Sequence, residues 1–509
     1  MIMTREIVGQ TTIGKYIEDL REQRNISQSE FARKLKTSPS AVARMEKGKQ
    51  NFSTEMLAKI SKVLGQEVIQ LANRSISFRI TGGKKLSGSI ATNGSKNAAV
   101  SILCASLLNQ GKTIVRNVPK IEEVHRIVEV LTSLGVSVKW QNADLHIKVP
   151  QKVTLDSIDK QAAERTRSVI MMIGSLIHDH DSFSIPLAGG CKLGERTVRP
   201  HLYALEKLGV TIVAHHDHYE VEAKKLKAAE IVLYEMGDTV TENALLAASR
   251  IAGITTIKLA SANYMVRDLC YFLQALGVKI EGVGTSTLIV HGKPVIKKTV
   301  EFFLSEDPIE SMLFLSIAAT TNSSITIQRC PIDFLQLELF RLEKMGFQFK
   351  ILKHYKSQNG FTNLVDIKTF PSKLIASEEK IAPLPSSIGI NIDNLPFFVP
   401  IATQAKGTTL IHDWVYENRA VYYTELNKLR AKVRLADPHR VFVEGPTELR
   451  ATDIECPPAL RPAANILIAM LAAKGTSILR NIYTISRGYE DIATRLRKLG
   501  AQIETLHGI

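Results

Sequence analysis

Residues 253–280, GITTIKLASANYMVRDLCYFLQALGVKI, decide the fold. The stretch opens with a turn residue and a short strand, continues through a loop and an amphipathic helix, and closes on LGV. A glycine just after the last helical residue is typical of a helix end, because its backbone adopts a left-handed conformation at little cost. The stretch therefore predicts one α/β unit.

The same pattern recurs from about residue 76 to the end of the chain. Residues 111–138 (GKTIVRNVPKIEEVHRIVEVLTSLGVSV) and 475–503 (GTSILRNIYTISRGYEDIATRLRKLGAQI) are two further copies. The closing glycine, or its equivalent, falls at 135, 209, 277, 346, 430 and 500, about 70 residues apart. A unit of this length is too long for a solenoid repeat, so we predict an α/β fold of two lobes with three units each. Two lobes imply a cleft, where a substrate site is to be sought.

Composition limits the possible functions. The chain has 509 residues and a net charge of +15, which favours anionic partners such as nucleic acid or phosphorylated metabolites. The N-terminus MIMTREIVGQ lacks the apolar region of a secretory signal, and no apolar run approaches the length of a membrane helix. The cysteines are odd in number and scattered without CxxC spacing, which predicts a reducing cytoplasmic location and neither disulfides nor a metal site. They are Cys104, Cys191, Cys270, Cys330 and Cys456.

Residues 12–70 predict a small helical head. Ser27 precedes QSEFARKL with Glu30 three residues later, which is a capping box. The short turn KTS joins this helix to a second one, PSAVARMEKG, which ends at Gly48. Two short helices joined by a tight turn form a helix-turn-helix.

This segment resembles the phage-repressor helix-turn-helix family over about 60 residues. The resemblance implies binding to DNA, with one residue on the backbone and three on the recognition helix facing base edges. Those residues are Gln28, Ser38, Ser40 and Arg44. Modules of this kind usually bind as dimers, so a homodimer is expected. A bundle used only for protein contacts remains the alternative.

Three motifs between residues 93 and 201 suggest an anion site. In NGSKNAAVSIL, Lys96 stands at the start of a predicted helix, where the helix N-terminus adds positive character. In AERTRSVIMMIGSLI, Arg167 begins an apolar helix, and its planar fork suits phosphate or carboxylate. In LAGGCKLGERTVRPH, Cys191 lies between two glycines and several cations, which favour its thiolate and suit a reactive thiol on a mobile loop.

The repeats and motifs together resemble the family of UDP-N-acetylglucosamine enolpyruvyl transferases over residues 76–509. The resemblance implies a two-lobed inverse α/β barrel of six repeats. Residues 76–95 and 303–509 would form one lobe, and 96–302 would form the other lobe, which carries the cysteine loop. The implied substrates are phosphoenolpyruvate and a nucleotide sugar, and no cofactor or metal is implied.

The resemblance also implies a role for each motif residue. Lys96 would bind the phosphate of phosphoenolpyruvate, Asn97 the sugar, and Arg167 both substrates. Cys191 would donate a proton to the methylene carbon, which requires a thiol pKa near the working pH. Arg196 on the same loop would hold the phosphate.

Further implied site residues come from the lobe that contains residues 303–509. Asp393 in GINIDNLPFF would take the proton of the attacking sugar hydroxyl, and it stays ionised among cations. Arg461 and Arg487 would clamp the carboxylate of phosphoenolpyruvate. The remaining residues would lie beside the nucleotide sugar or in a structural, substrate-side motif: Val415, Tyr416, Asp307 and Glu310.

The sequence departs from the family pattern mainly at the nucleotide end. Arg199 replaces an acidic residue that reads uracil, and Glu235 stands for a lysine beside the diphosphate. Asp238 replaces a neutral residue there, and two carboxylates beside a diphosphate repel it unless a cation compensates. Before Asp393, the family's Pro-Thr is Asn391-Ile392. These changes put the acceptor in doubt more than the reaction type.

Three functions remain open from the sequence. The first is enolpyruvyl transfer to the 3-hydroxyl of UDP-N-acetylglucosamine, with release of phosphate, in peptidoglycan precursor synthesis. The second is a DNA-binding transcription regulator whose transferase body has become a ligand sensor. The third is the same chemistry on another activated sugar.

Overall fold

The computed structural model describes residues 26–49, 76–187, 189, 197–383 and 390–507 and ten isolated positions nearer the N-terminus. Those positions are 14, 17, 18, 21, 22, 56, 59, 60, 63 and 64. The chain divides into two compact units, with the main boundary after Ile76. We call Ser77–Leu506 the body and the unit before it the head.

The head contains the predicted pair of helices, Gln28–Leu35 and Pro39–Glu46. Ser27 caps the first helix by accepting a hydrogen bond from the Glu30 amide at 3.2 Å, as the capping box predicts. Apolar side chains of both helices form a small core. Gly48 follows the second helix with a φ of 64°, the left-handed conformation expected of a helix end.

The body repeats one arrangement of strands and an intervening helix. In the first repeat, the strand Lys112–Arg116 leads into the helix Glu122–Ser133, and two more strands, Ser137–Gln141 and Asp144–Lys148, follow. The last strand is antiparallel to both others and lies between them. The other repeats use the same order with these first strands: Ser182–Pro186, Gly253–Lys258, Ser324–Pro331, Gly407–His412 and Gly475–Arg480.

The helices that follow these first strands are Arg199–Glu206, Tyr264–Leu276, Gln336–Lys344, Ala420–Leu429 and Ile492–Lys498. The fifth repeat differs from the prediction of an α-helix, because Ala420–Leu429 is a 3-10 helix. Its residues 421–424 are Val-Tyr-Tyr-Thr, and β-branched and aromatic side chains lose rotamer freedom in an α-helix.

The second and third strands of the later repeats complete the sheets. They are Thr211–Ala214 with His218–Glu222, Lys279–Glu281 with Thr287–Gly292, Gln348–Lys356 with Asn363–Phe370, and Lys432–Asp437 with Arg440–Gly445. In the sixth repeat the second strand is Gln502–His507, and the N-terminal strand Ile76–Gly82 takes the middle place. Parallel fourth strands extend several of these sheets: Ser87–Ala91, Glu230–Val232, Val300–Phe303 and Asp453–Glu455.

A second set of helices precedes the first strand of each repeat and is largely buried. Pro308–Thr320 is buried along its whole length, as are most residues of Leu460–Ala472. The others are Lys96–Ser106, Met172–Leu176, Asp238–Ala248 and Phe398–Ala402. These helices contact one another within each half of the body, with the sheets outside them. Helices inside sheets make an inverse α/β barrel, so the predicted fold class is confirmed.

The end of each repeat helix adopts the predicted backbone conformation. Gly277 has a φ of 96°, and the other closing glycines lie between 80° and 90°. Arg430 occupies the same place with a φ of 67°, although a side chain there is strained. Among the described helices, none is long and apolar enough to cross a membrane.

Candidate active site

Lys96 lies at the N-terminus of a buried helix, as predicted. Ser95 caps the helix Lys96–Ser106 by accepting a hydrogen bond from the Ala98 amide at 3.2 Å. The first-turn position puts the ammonium beside the positive end of the helix dipole. The next side chain, Asn97, donates to the Tyr264 hydroxyl at 3.2 Å. The start of this helix therefore presents both a cation and an ordered amide.

Glu123 brings Lys96 and Arg487 together. Its Oε2 atom lies 3.5 Å from Lys96 Nζ and 3.5 Å from Arg487 Nη2. Burial raises the pKa of Glu123, but Lys96 and Arg487 outweigh burial and lower the pKa below its ordinary value. An ionised Glu123 therefore holds two predicted substrate cations from distant parts of the sequence at one point.

Asp393 lies between two buried arginines. Arg461 Nη2 is 3.2 Å from Asp393 Oδ2, and Arg419 Nη1 is 3.8 Å from Asp393 Oδ1. Burial raises the pKa of Asp393, but Arg461 and then Arg419 outweigh burial and lower it. Arg461 also donates to the Tyr489 hydroxyl at 2.7 Å. The geometry gives Asp393 the ionised state that a proton acceptor requires.

Arg419 fixes the loop that carries Asp393. It is 1% exposed and forms a bidentate ion pair with Asp413, with distances of 2.6 and 2.8 Å. The same guanidinium donates to the Ile392 carbonyl at 2.8 Å and stacks on Tyr416 at 4.3 Å. An arginine held by these three hydrogen bonds keeps the backbone next to Asp393 in one place.

Asp307 and Glu310 differ in their surroundings. Asp307 caps the helix Pro308–Thr320 through the Ile309 amide at 2.8 Å, and burial raises its pKa to about 6 although Arg461 opposes this. Glu310 is paired with Arg495 at 2.7 and 2.8 Å. Asp307 therefore faces the cluster around Asp393, whereas Glu310 is fixed by an ion pair.

The predicted residues near the cysteine loop are only partly described. Cys191 and Arg196 lie outside the described residues. Arg167 begins a 3-10 helix, Arg167–Met171, that continues as the α-helix Met172–Leu176, and its Nη2 atom donates to the Thr197 carbonyl at 2.8 Å. Arg167 is thus tied to the backbone just after the loop.

The nucleotide-end departures lie on two elements. Arg199 is exposed at the start of the helix Arg199–Glu206, and Glu235 is exposed as well. Asp238 instead accepts hydrogen bonds from Ser261 Oγ at 2.6 Å and Asn263 Nδ2 at 3.1 Å. The pKa of Asp238 is raised, mainly because the carboxyl group is buried. The hydrogen bonds from Ser261 and Asn263 oppose this rise, and the nearby charge of Asp393 adds a little to it. The Asp238 carboxylate is therefore engaged by protein groups.

Val415 and Tyr416 lie on the loop that leads into the helix Ala420–Leu429. The Val415 side chain is 44% exposed, while Tyr416 is half-buried under Arg419. The exposed Val415 leaves an apolar contact available to a ligand, and Tyr416 is held by the guanidinium.

The predicted DNA-binding residues occupy one part of the head. Ser38 caps the helix Pro39–Glu46 through the Ala41 amide at 3.2 Å and lies 3.0 Å from the Ser40 hydroxyl. Arg44 is exposed on the same helix. Gln28 donates to Glu46 at 2.6 Å, and Glu46 also pairs with Arg21 at 2.6 Å. Gln28 is therefore held at the start of the first helix.

Several site residues were not predicted from the sequence. Glu123, Arg419 and Tyr489 contact the predicted residues directly, and Asp413 pairs with Arg419. Glu123 stands next to Glu122, and the pattern does not tell which carboxylate faces the cleft. Arg419 lies in WVYENRAV, three residues after the predicted Tyr416, but its exposed neighbours Glu417 and Asn418 gave no sign that it is buried.

Buried helices inside repeated sheets, with Arg461 and Lys96 beside Asp393 and with Arg487 sharing Glu123 with Lys96, are the fold and site of an enolpyruvyl transferase. The family profile of EPSP synthase (3-phosphoshikimate 1-carboxyvinyltransferase) matches residues 80–496, and the chain belongs to this family. Its similar relatives are UDP-N-acetylglucosamine 1-carboxyvinyltransferases. That of Bradyrhizobium diazoefficiens is 33% identical over 84% of this chain and 98% of its own. That of Porphyromonas gingivalis is 34% identical over 84% of this chain and 100% of its own.

Solved structures agree on the fold. The enolpyruvyl transferase NikO from Streptomyces tendae superposes with a TM-score of 0.72, covering 85% of this chain and 99% of its own at 23% identity. EPSP synthase from Acinetobacter baumannii has a TM-score of 0.65, covering 85% of this chain and 100% of its own at 18% identity. In the head, a helix-turn-helix profile matches residues 17–71. The predicted resemblances of both parts are confirmed.

Proposed function

We propose that the body transfers the enolpyruvyl group of phosphoenolpyruvate to the 3-hydroxyl of UDP-N-acetylglucosamine and releases phosphate, in the cytosolic synthesis of peptidoglycan precursors. The supporting observation is Asp393, held ionised by Arg461 and Arg419 and close to Lys96, whose partner Glu123 also pairs with Arg487. This chain matches 98% and 100% of the length of two relatives that are named for this activity.

Each step of the proposed reaction uses a named group. Asp393 takes the proton of the sugar hydroxyl as its oxygen bonds to the central carbon of phosphoenolpyruvate. The Cys191 thiol gives a proton to the methylene carbon, which becomes a methyl group. In the tetrahedral intermediate the Cys191 thiolate then takes a proton back from the methyl group, phosphate leaves the central carbon with the proton held by Asp393, and the double bond forms again. General acid and base groups of this kind accelerate such steps about 10²- to 10⁴-fold.

Five cations would stabilise the anionic intermediate: Lys96, Arg167, Arg196, Arg461 and Arg487. Lys96 would receive the phosphate together with Arg196, and Arg461 with Arg487 the carboxylate. Asn97 and Arg167 would contact the sugar nucleotide, with Val415 and Tyr416 beside it. Preorganised charged donors are effective because they need little reorganisation when the transition state forms.

The direct test is phosphate release by the full chain with phosphoenolpyruvate and UDP-N-acetylglucosamine, with mass spectrometry of the sugar product. We expect turnover that requires both substrates and is lost in Cys191→Ala. Absence of turnover in the wild-type chain, with no change in Cys191→Ala, would contradict the proposal.

A different acceptor is the second candidate, favoured by the exposed Arg199 and Glu235 at the nucleotide end. Calorimetry with a panel of nucleotide sugars, each with and without phosphoenolpyruvate, separates the two acceptors. Binding of another nucleotide sugar at least ten-fold tighter than UDP-N-acetylglucosamine would favour this candidate.

We also propose that the head binds DNA through Gln28, Ser38, Ser40 and Arg44, as a dimer, and that the body acts as its ligand sensor or as a coupled enzyme. The exposed recognition-helix residues support DNA binding. Selection of a DNA sequence by the full chain, followed by titration with each substrate, tests both parts. If Arg44→Ala leaves the selected sequence unchanged, this role of Arg44 is wrong. DNA affinity that neither substrate alters would contradict the sensor.

A further inference from the structure

A continuous line of hydrogen bonds runs from Asp238 to the backbone of Asp393. Asn263 Nδ2 donates to Asp238 Oδ2 at 3.1 Å, and Asn391 Nδ2 donates to Asn263 Oδ1 at 3.2 Å. The Asp393 amide in turn donates to Asn391 Oδ1 at 2.9 Å. Every donor in this line points the same way, toward the Asp238 carboxylate.

The orientation of both asparagine amides is fixed by backbone donors. Asn263 Oδ1 also accepts from the Tyr264 amide at 2.9 Å, and Asn391 Oδ1 accepts from the Asp393 amide. A backbone N–H must face an oxygen, so neither side chain can be turned over without losing this bond. The bond between the two side chains therefore has a defined direction.

The turn around Asn391 is anchored a second time. The backbone amide of Asn391 donates to Glu338 Oε1 at 3.0 Å, and Asn394 Nδ2 donates to the same oxygen at 2.9 Å. Asn263 belongs to the third repeat and caps the helix Tyr264–Leu276, whereas Asn391 precedes the fifth repeat. The bond between the asparagines thus joins two separately anchored segments, one from each half of the body.

Two departures from the family pattern meet in this line. Asp238 and Asn391 are more than 150 positions apart, and nothing in the sequence relates one to the other. In the structure Asn263 connects them. A proline or a small apolar residue at position 391 provides no side-chain donor, so the connection depends on the residue that this chain has there.

We propose that Asn263 and Asn391 are positioning residues that latch the Asp393 loop to the opposite half of the body and set the carboxylate of Asp393 against the acceptor hydroxyl. The expected effect of the latch on kcat rests on the proposed function. The hydrogen bonds of the latch are present in the ligand-free structure. Holding a reacting group in place affects the chemical step more than the binding of phosphoenolpyruvate.

Serine substitutions test the latch with little other damage. Asn263→Ser keeps a good helix cap, and Asn391→Ser keeps a hydroxyl that can accept from the Asp393 amide. Neither serine reaches across to the other segment. We expect each variant to lower kcat about ten-fold, the effect of one lost hydrogen bond, with the KM for phosphoenolpyruvate changed less than two-fold.

The double variant and a matched control complete the kinetic test. If the two side chains act as one unit, Asn263→Ser with Asn391→Ser lowers kcat no further than either alone. Asn363→Ser, which removes the exposed bond to Asp333, should leave kcat unchanged. Multiplying effects in the double variant, or an unchanged kcat in both single variants, would overturn the latch.

Hydrogen exchange separates failure of the latch from failure of the proposed function. In the ligand-free chain, backbone amides of residues 259–266 and 390–397 should exchange about ten-fold faster in either latch variant, while peptides elsewhere keep their rates. This result does not require turnover. Unchanged exchange in both segments would overturn the latch even if the wild-type chain is an active transferase.

Discussion

Replacing Asp393 with asparagine tests the centre of the proposed mechanism. Asparagine has the same size and keeps an oxygen for Arg461, but it cannot take a proton. General base catalysis contributes about 10²- to 10⁴-fold, so we expect kcat to fall about 10³-fold, which is about 4 kcal/mol in the activation free energy. The KM for phosphoenolpyruvate should not rise, because the cations around the site keep their charge.

The effect on stability is expected to be smaller than the effect on rate. Arg461 is 7% exposed and loses its charged partner, but the Tyr489 hydroxyl remains 2.7 Å away. The Asp393 side chain is 24% exposed, so its ion pair is weaker than a fully dry one. We expect a loss of about 1–3 kcal/mol in the free energy of unfolding. The variant therefore stays folded at 25 °C, where phosphate release is measured.

Asp453→Asn is the matched control, since it removes an aspartate from an arginine pair on the surface. Asp453 and Arg480 are 47% and 34% exposed, so this change should cost less than about 1 kcal/mol of stability and none of the activity. The wild-type kcat/KM should also show no loss from Asp393 protonation above about pH 5, because the pKa of Asp393 in the ligand-free chain lies below its ordinary value. A kcat for Asp393→Asn within ten-fold of wild type would refute the role of Asp393 as the base.

Three further predictions concern stability. Arg430→Gly should raise the free energy of unfolding by about 0.5–1 kcal/mol, seen as a higher urea midpoint, because glycine relieves a left-handed φ of 67° but is more flexible when unfolded; a lower midpoint would contradict this. Burial raises the pKa of Asp268 in the folded state to about 7, above its value in the unfolded chain. Its protonated form therefore contributes its full stabilisation below about pH 4, and this contribution is lost as the pH rises through 7. The wild-type free energy of unfolding should therefore fall between pH 4 and 7 by more than that of Asp268→Asn, and equal slopes in urea titrations would refute it. In the head, Glu46→Gln removes the buried partner of Arg21 and leaves it the exposed Glu22, so it should destabilise the head by about 1–3 kcal/mol, with weaker DNA binding but unchanged phosphate release. An unchanged thermal transition of the head would count against it.

The repeated fold could be predicted because its signals are local. Each unit closes on a residue that needs a left-handed backbone, and glycine at 135, 209, 277, 346 and 500 marks the place directly. Arg430 shows that the position and not the residue type repeats. The 3-10 helix Ala420–Leu429 was not predicted, because its departure from an α-helix depends on packing around bulky side chains.

The candidate site was predicted only where a short motif marks it. Lys96 and Arg461 stand in recognisable stretches, and the structure gathers both around Asp393. Glu123 has no such signal, since its role depends on Arg487 approaching from more than 350 positions away. Contacts between distant repeats follow from the tertiary fold, which local pattern does not specify.

The departures from the family pattern also depend on tertiary contacts, so they could not be interpreted one at a time from the sequence. From the sequence, Asp238 beside a diphosphate implies repulsion, and Asn391 is a departure from the family's proline before Asp393. Their contacts with Asn263 give both residues a shared structural partner. With its carboxylate already accepting two hydrogen bonds, Asp238 presents less uncompensated charge than its position suggests. The repulsion expected at the nucleotide end therefore falls mainly on the exposed Glu235, and Glu235 is the residue whose substitution should most alter the choice of acceptor.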